Sequence, residues 1–496
     1  MSNYTLPESR WTNGREQTIV DIQLGGPGNN WAPVVVQHSM AAPSGGGQSF
    51  TTRYGQTNSG SSRALGTNID DDPGRFDFDV MVAITKDSLL DDILKDVHQY
   101  CRRSCDYGFP SFRVRNDCDR LDVITNYEES YVYNDGGVTS KGFSQDLKIG
   151  PSPDGSGSVK VMRQLTISAA TEDRIVKLRH INNEANSAPQ SINAVWFGCD
   201  NEVFVVTDEN ASNTCEIGYS NDGGATFTFT EINTLATTAD VASDVIEFGD
   251  YILVASPQSG VEYALKSDVV SGATTPWSTA TVAGATWATN FPNGLVVVNP
   301  NLVLAFGNGG RLWKSETGRD FKLLSTGSAN NLTCAARIDS DRAWIGGASG
   351  TLLLYDRDVV SSVTVTNVSG TVTDAINTVA VPDARENEVF VGTDAGEIIR
   401  STNTGGTWTV EYSADDIVDI RFSGYRGMVM WFMNTDGDNE STLYRDLSGG
   451  ACGNDIEAIA SPIAVQLNAF APRDNNYAVT VGEVVNTNGV IGIVKP

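Results

Sequence analysis

The stretch 219–229, YSNDGGATFTF, sets chemically capable groups at close spacing: Ser220, Asp222, Gly224, Thr226 and Phe227. A carboxylate between two hydroxyls could serve an active site. The same residues also build a turn, in which Asp or Asn caps backbone N–H groups, Gly takes the left-handed position and the aromatic packs back on a sheet. The pattern recurs at 401–408, STNTGGTW, as Ser401, Asn403, Gly405, Thr407 and Trp408. A shorter version stands at 315–321 (SETGRDF) and a longer one at 267–277 (SDVVSGATTPW). All four fall between strand-like runs at the same point of a repeating unit, so we read them as structural turns, with no catalytic residue among them.

Two further groupings have metal-ligand character. His98, Cys101, Cys105 and Cys118 offer four zinc ligands. Cys101 also belongs, with Leu89, Leu90, Ile93, Leu94 and Val97, to the apolar stripe of a helix capped by Asp87, which makes it a core residue. Asn434, Asp436, Asp438 and Glu440 alternate as calcium ligands do, but the rest of a calcium loop is missing and an acidic hairpin tip accounts for them. We expect no metal and no cofactor. The three histidines lie far apart and form no triad.

Elements that position these residues differ along the chain. Residues 186–496 repeat: strand-like runs such as INAVWFG, GLVVVNPNLVLAFG and INTVAVPDARENEVFVGT each precede a turn, near Ser220, Ser267, Ser315, Asp356, Ser401 and Asp446. A period near 45 residues with four short strands is that of a β-propeller blade. The count predicts seven blades, bracketed by six and eight. The last, PIAVQLNAFAPRDNNYAVTVGEVVNTNGVIGIVKP, shows three strands only. A borrowed strand would remove its exposed edge, and 173–181 (DRIVKLRHI) is the candidate.

Residues 1–185 do not repeat. They contain a Gly/Ser-rich arm at 40–72, an alternating strand at 75–84, the helix, a strand excursion around Asn134, Asp135 and Gly136, and a strand at 158–170. The expected fold class is mainly β: an N-terminal α+β domain, strand-rich with one packed helix, over 1–185, then the propeller over 186–496.

Charge narrows the partners. The chain carries 34 Lys and Arg against 61 Asp and Glu, a formal net charge of −27. The second region is the acidic one, since only 15 of its residues are basic and 37 acidic. Such a surface repels nucleic acid and anionic membrane, which need basic groups to displace counterions. No secretory signal or apolar membrane span is read, and seven scattered cysteines suggest no disulfide framework.

The repeated turn resembles the Asp-box (BNR) repeat of sialidases, sortilin-type receptors, xyloglucan hydrolases and the photosystem-assembly propellers, over about 190–460. That resemblance implies a propeller with the box at the blade periphery, away from substrate. A sialidase site would need an arginine cluster, and Arg311, Arg337, Arg342, Arg385, Arg421 and Arg473 fall at unrelated blade positions, so we expect no enzyme. Residues 75–181 are similar in plan to tube-forming proteins of tailed phages. This likeness implies a virion structural protein made in the host cytoplasm, a tail tube subunit that self-assembles into hexameric rings. DNA would pass through without being bound, and the propeller would touch a host glycan or protein. The alternatives are a propeller adaptor or assembly factor binding a protein partner, and a glycan-binding spike or glycosidase with Trp277 or Trp287 stacking on sugar.

Overall fold

In the computed structural model the chain divides into two compact units, 1–177 and 178–496. The residues described are, in the first unit, 28–31 and the strands named below. In the second they are 178–496 apart from 183–189, 199–200, 211–213, 236–239, 274–276, 284–286, 288–290, 369, 453–455, 460, 462–463 and 486–487. The helix and the four zinc-spaced residues at 98–118 lie outside them.

The first unit contains two antiparallel sheets. One has the order Thr171–Val176, Glu129–Asn134, Ser111–Asp117, Gln17–Gln23, Ala32–Val36. In the other, Lys160–Ala169 pairs from Val161 onward with Phe76–Ile84 and on its far side with Gly137–Val138 and Leu147–Gly150. Of the two readings around 134–136, a strand pair or a longer excursion, the second holds: Glu129–Asn134 belongs to the first sheet and Gly137–Val138 to the second. Within the first sheet Arg113 and Asp21 form a buried ion pair at 2.9 Å, and Trp31 covers the guanidinium at 4.7 Å from its ring centroid. Two stretches of the polar arm are strands. Ser49–Gln56 and Ser62–Asp70 form a two-stranded hairpin of their own.

The second unit is a seven-bladed β-propeller. Blades 1 to 6 occupy 192–231, 244–279, 292–324, 332–363, 376–413 and 416–459, each a four-stranded antiparallel meander; blade 3 gains a fifth, parallel strand, Thr281–Val282. Blade 7 takes Leu467–Asp474, Tyr477–Val485 and Asn488–Lys495 from the C-terminus and its fourth strand, Arg179–Asn182, from some 300 residues earlier. The stretch 173–181 is thus divided, because Thr171–Val176 pairs in the first unit. First strands touch their neighbours in a closed circle, blade 7 against blade 1 included, and so form the inner wall. Second strands such as Val203–Thr207, Val389–Thr393 and Val429–Thr435 are buried at every residue. They read as continuous apolar runs because adjacent blades cover both faces, whereas the outer strands alternate. Trp277 and Trp287 are 6% and 9% exposed and belong to the blade core, which removes them as sugar platforms.

Candidate functional site

Two circles of side chains organise the propeller, one at its inner wall and one at its rim. The inner circle starts from a bulge. Pairing of the first and second strands slips at Ile192/Ala194, Pro292/Gly294, Leu332/Cys334, Ile376/Thr378, Ile417/Asp419 and Leu467/Ala469. A bulge inserts one unpaired residue and re-aims its side chain. Most of the inserted residues here are polar, namely Asn193, Asn293, Thr333, Asn377 and Asn468. Each donates to a backbone carbonyl at the start of the following blade: Ala242 (3.1 Å), Leu332 (2.9 Å), Ile376 (3.0 Å), Ile417 (3.2 Å) and Ile192 (3.1 Å). Blade 2 reaches blade 3 differently, through Asp244 Oδ2 accepting from Leu295 N–H at 2.8 Å. Blade 6 reaches blade 7 through Ser441 Oγ accepting from Leu467 N–H at 2.9 Å. Every junction is therefore stitched. The recurrent Ile-Asn or Leu-Asn opening of the strands was a visible signal for this, and the sequence reading passed over it.

The next residues on these strands make one polar cluster inside the ring. Asp419 accepts from Thr378 Oγ1 (3.1 Å), its own Ile420 N–H (2.8 Å) and Arg421 Nε (2.9 Å). The Arg421 side chain is about half accessible, and the charges of Asp419 and then Asp244 hold its pKa above the usual arginine range against burial. Burial pushes the Asp244 carboxyl up to about 6; the Leu295 N–H and Arg421 pull it down, and Asp419 adds to the rise. Burial also lifts the Cys334 thiol to about 12, so it is no nucleophile at neutral pH. A water-reachable but deeply enclosed salt bridge is what a narrow channel produces. The Arg421 cation stands between two acids, Asp419 and Asp244.

The rim circle comprises the turns between third and fourth strands. Ser220 Oγ donates to Asp222 Oδ1 (2.7 Å) and accepts from Gly224 N–H (2.9 Å); Asp222 in turn accepts from Thr226 N–H (2.9 Å) and Thr226 Oγ1 (2.6 Å). Against some burial, these bonds lower the Asp222 pKa. Gly224 has φ +94°, and a Cβ there would lie 2.9 Å from Val479 of blade 7. Phe227 packs into the same cluster as Val479. At 401–408, Gly405 N–H donates to Ser401 Oγ (2.9 Å), Asn403 Oδ1 accepts from Ser401 Oγ (3.0 Å) and Thr407 N–H (2.7 Å), and Trp408 Nε1 donates to Thr364 O of blade 4 (3.1 Å). The short version keeps the essential bond, Gly318 N–H to Ser315 Oγ at 2.9 Å, with Gly318 against Phe248 and Leu253 of blade 2.

In blade 6 the turn expected near Asp446 proves to be a further member. Asp446 replaces Ser, accepting from Ser448 and from Gly450 N–H (2.8 Å), and Gly450, at φ +115°, presses on Phe390 of blade 5. The long version at 267–277 is a correction. Lys266–Ser271 forms a short helix ended by left-handed Gly272, because three residues between Asp268 and Gly272 permit a helical turn instead of a box. In each remaining case the glycine touches the preceding blade, so these turns clasp blade to blade.

Other candidates do not converge. Arg342, Arg385, Arg421 and Arg473 each pair with their own acid, Asp339, Glu388, Asp419 and Asp474, on blades 4 to 7. At 434–440, Asn434 is buried, and Asp436 Oδ1 caps the turn by accepting from Asp438 and Glu440 N–H groups (3.0 and 2.9 Å). Among the described residues no group of three His, Cys, Asp or Glu is arranged for a metal. A shallow cleft of about 420 Å³ between blades 3 and 4 is lined by Asn299, Lys314, Glu316, Tyr355 and Arg357, and its Lys314 is tied to Asp358 at 2.6 Å.

The propeller thus defines the class of protein. No family model and no curated protein matches the chain. Similar solved structures include "YCF48 bound to D1 peptide" (10% identity, TM-score 0.48, covering 64% of this chain and 95% of that one). YCF48 from Cyanidioschyzon merolae is similar at 13% identity and a TM-score of 0.49, covering 64% and 99%. The WD40 β-propeller domain of Doa1 is similar at 12% identity and 0.45, covering 64% and 95%.

Proposed function

We propose that this chain is a non-enzymatic assembly protein whose propeller binds a protein partner. The observation that carries this reading is the closure of the ring. Arg179–Asn182, the fourth strand of blade 7, begins three residues after the last strand of the N-terminal unit, Thr171–Val176. The ring is therefore closed by a strand from near the start of the propeller's own sequence, which holds its blades as a fixed platform for a partner. The inner and rim circles support it too, since their polar groups are engaged in joining blades.

A second, finer reading is a virion tail tube subunit that joins copies of itself and displays the propeller to a host protein or glycan. The hairpin Ser49–Gln56/Ser62–Asp70 favours it: among the described residues this ribbon pairs with nothing else, and an isolated two-stranded hairpin is marginal in water. Negative-stain microscopy of the full chain, with affinity capture using it as bait, separates the readings. A specific protein partner bound by dispersed particles supports the first reading, and rings or tubes support the second. Monomers that capture nothing above a scrambled-bait control overturn both.

A further inference from the structure

The outer edge of each blade is a row of backbone N–H and C=O groups with which any other strand can pair. Proteins protect such edges by shortness, charge, a bulge or a covering segment. Six of the seven blades carry one of these protections. The outer strand of blade 1, Thr228–Glu231, ends on an exposed Glu231, and that of blade 2, Ser278–Thr279, is two residues long. Thr281–Val282 covers the outer strand of blade 3. In blade 5 the outer strand Thr409–Ser413 is bulged at Glu411. In blade 6 Ile456–Ile459 carries Glu457, and in blade 7 Arg179–Asn182 carries an exposed Arg179.

Blade 4 has none of them. Its outer strand, Val359–Val363, runs for five residues, VVSSV, without a charge, and among the described residues no strand pairs with its outer side. Val359 is 66% exposed. In the turn before it, Arg357 and Asp358 have φ of +46° and +75°, the two-residue form in which the flanking Asp356 and Val359 are a hydrogen-bonded pair. Alternation along the strand then aims the N–H and C=O of Val360 and Ser362 off the edge.

Two features of this edge fit a second copy of the chain. The first is charge. Blades 3 and 4 (292–363) hold seven basic and six acidic residues, which leaves eight and 31 for the rest of 186–496. Two such acidic propellers repel each other least across this sector. The second is self-complementarity. Turned antiparallel about Ser361, the strand sets Val359 opposite Val363 and Val360 opposite Ser362 of the other copy, with no like charges opposed. The outward groups of Val360 and Ser362 then meet their counterparts in about four hydrogen bonds.

We propose that blade 4 pairs through Val359–Val363 with the same strand of a second copy, forming a two-fold dimer in which one sheet runs across both propellers. This goes beyond both functional readings, neither of which gives the propeller an interface with itself. A five-residue strand pair is a small interface, so the dimer forms in the micromolar range.

The test is sedimentation velocity of the full chain from about 1 to about 100 μM. Ser362→Pro removes an outward N–H and no bond within the blade. Ser361→Lys, at an exposed position, sets like charges opposite each other at the two-fold. Each should weaken dimerisation about tenfold or more. Ser413→Lys, on the outer strand of blade 5, should change it less than about twofold. Ser361→Cys reads the register: with diamide as oxidant, the two substituted positions face each other closely enough to form a disulfide, located by peptide mass against wild type. A chain that stays monomeric over the whole range, or a dimer whose affinity survives both Ser361→Lys and Ser362→Pro, overturns the proposal. Absence of that disulfide overturns it too. A monomer that captures another protein overturns it and leaves the first functional reading standing.

Discussion

His180 makes ring closure sensitive to acid. It lies on the borrowed strand, is 8% exposed, and its Nε2 pairs with Thr480 Oγ1 at 2.8 Å. The ring sits close against Gly492, where a Cβ would collide with Nε2, and Nδ1 has no partner. With no carboxylate acting on it, burial alone lowers its pKa from 6.5 to about 4. A lowered folded pKa means that the contribution is complete above 6.5 and is lost as pH falls toward 4, because the unfolded chain takes a proton the folded one refuses. At about 1.4 kcal/mol per pH unit the full loss is about 3 kcal/mol, of which about 2 kcal/mol has gone by pH 5.

The measurement is guanidinium unfolding of the full chain at pH 7.5 and 5.0, wild type against His180→Gln. Hydrogen exchange over 179–182 and 488–495 supplies the local readout. Asp244, with its raised pKa, works in the opposite sense: its contribution is present at low pH and lost as pH rises through about 6, so the difference between the two proteins isolates His180. Wild type should lose about 2 kcal/mol more than the variant between the two pH values, and deprotect the closing strand first. Equal losses, or unchanged exchange at the closing strand, refute the reasoning.

Two further predictions concern the circles. Asp222→Ala removes the acceptor of three clasp bonds and should cost about 1–2 kcal/mol in chemical unfolding. Gly450→Val adds a left-handed strain and a Cβ 2.4 Å from Phe390, and should cost about 3 kcal/mol or more. Gly437→Ala, with open space around it, should stay within about 0.5 kcal/mol, and a comparable cost there would show that the clasps are not special. Arg421→Met leaves Asp244 and Asp419 without their cation. The Asp244 pKa should rise further, so the variant should melt well below wild type at pH 7.5 and recover toward it by pH 5. A deficit independent of pH would mean that Arg421 acts by packing alone.

What could be read along the chain was local. Alternating and continuous apolar runs, turns of two to eight residues and the 45-residue period follow from rules spanning a few residues, and they give the blades and their number. Even there the turn code is degenerate: Asp446 does the work of Ser220, while Ser267 and Asp268 enter a helix, because which bonds form depends on the residue count to the next glycine and on the blade behind it. The Asn193-type stitches were spelled out yet unreadable as stitches, since each partner is a backbone carbonyl about 40 to 50 residues on, or across the seam.

Sequence alone determined the repeat, the turn residues and the excess of acid. Only the tertiary structure decided that the run at 173–181 breaks between two sheets and that His180 meets Thr480. Strand pairing over some 300 residues leaves no local pattern, because a strand's edge offers the same N–H and C=O groups to any partner. The choice is made by which edge remains open once the other blades have closed.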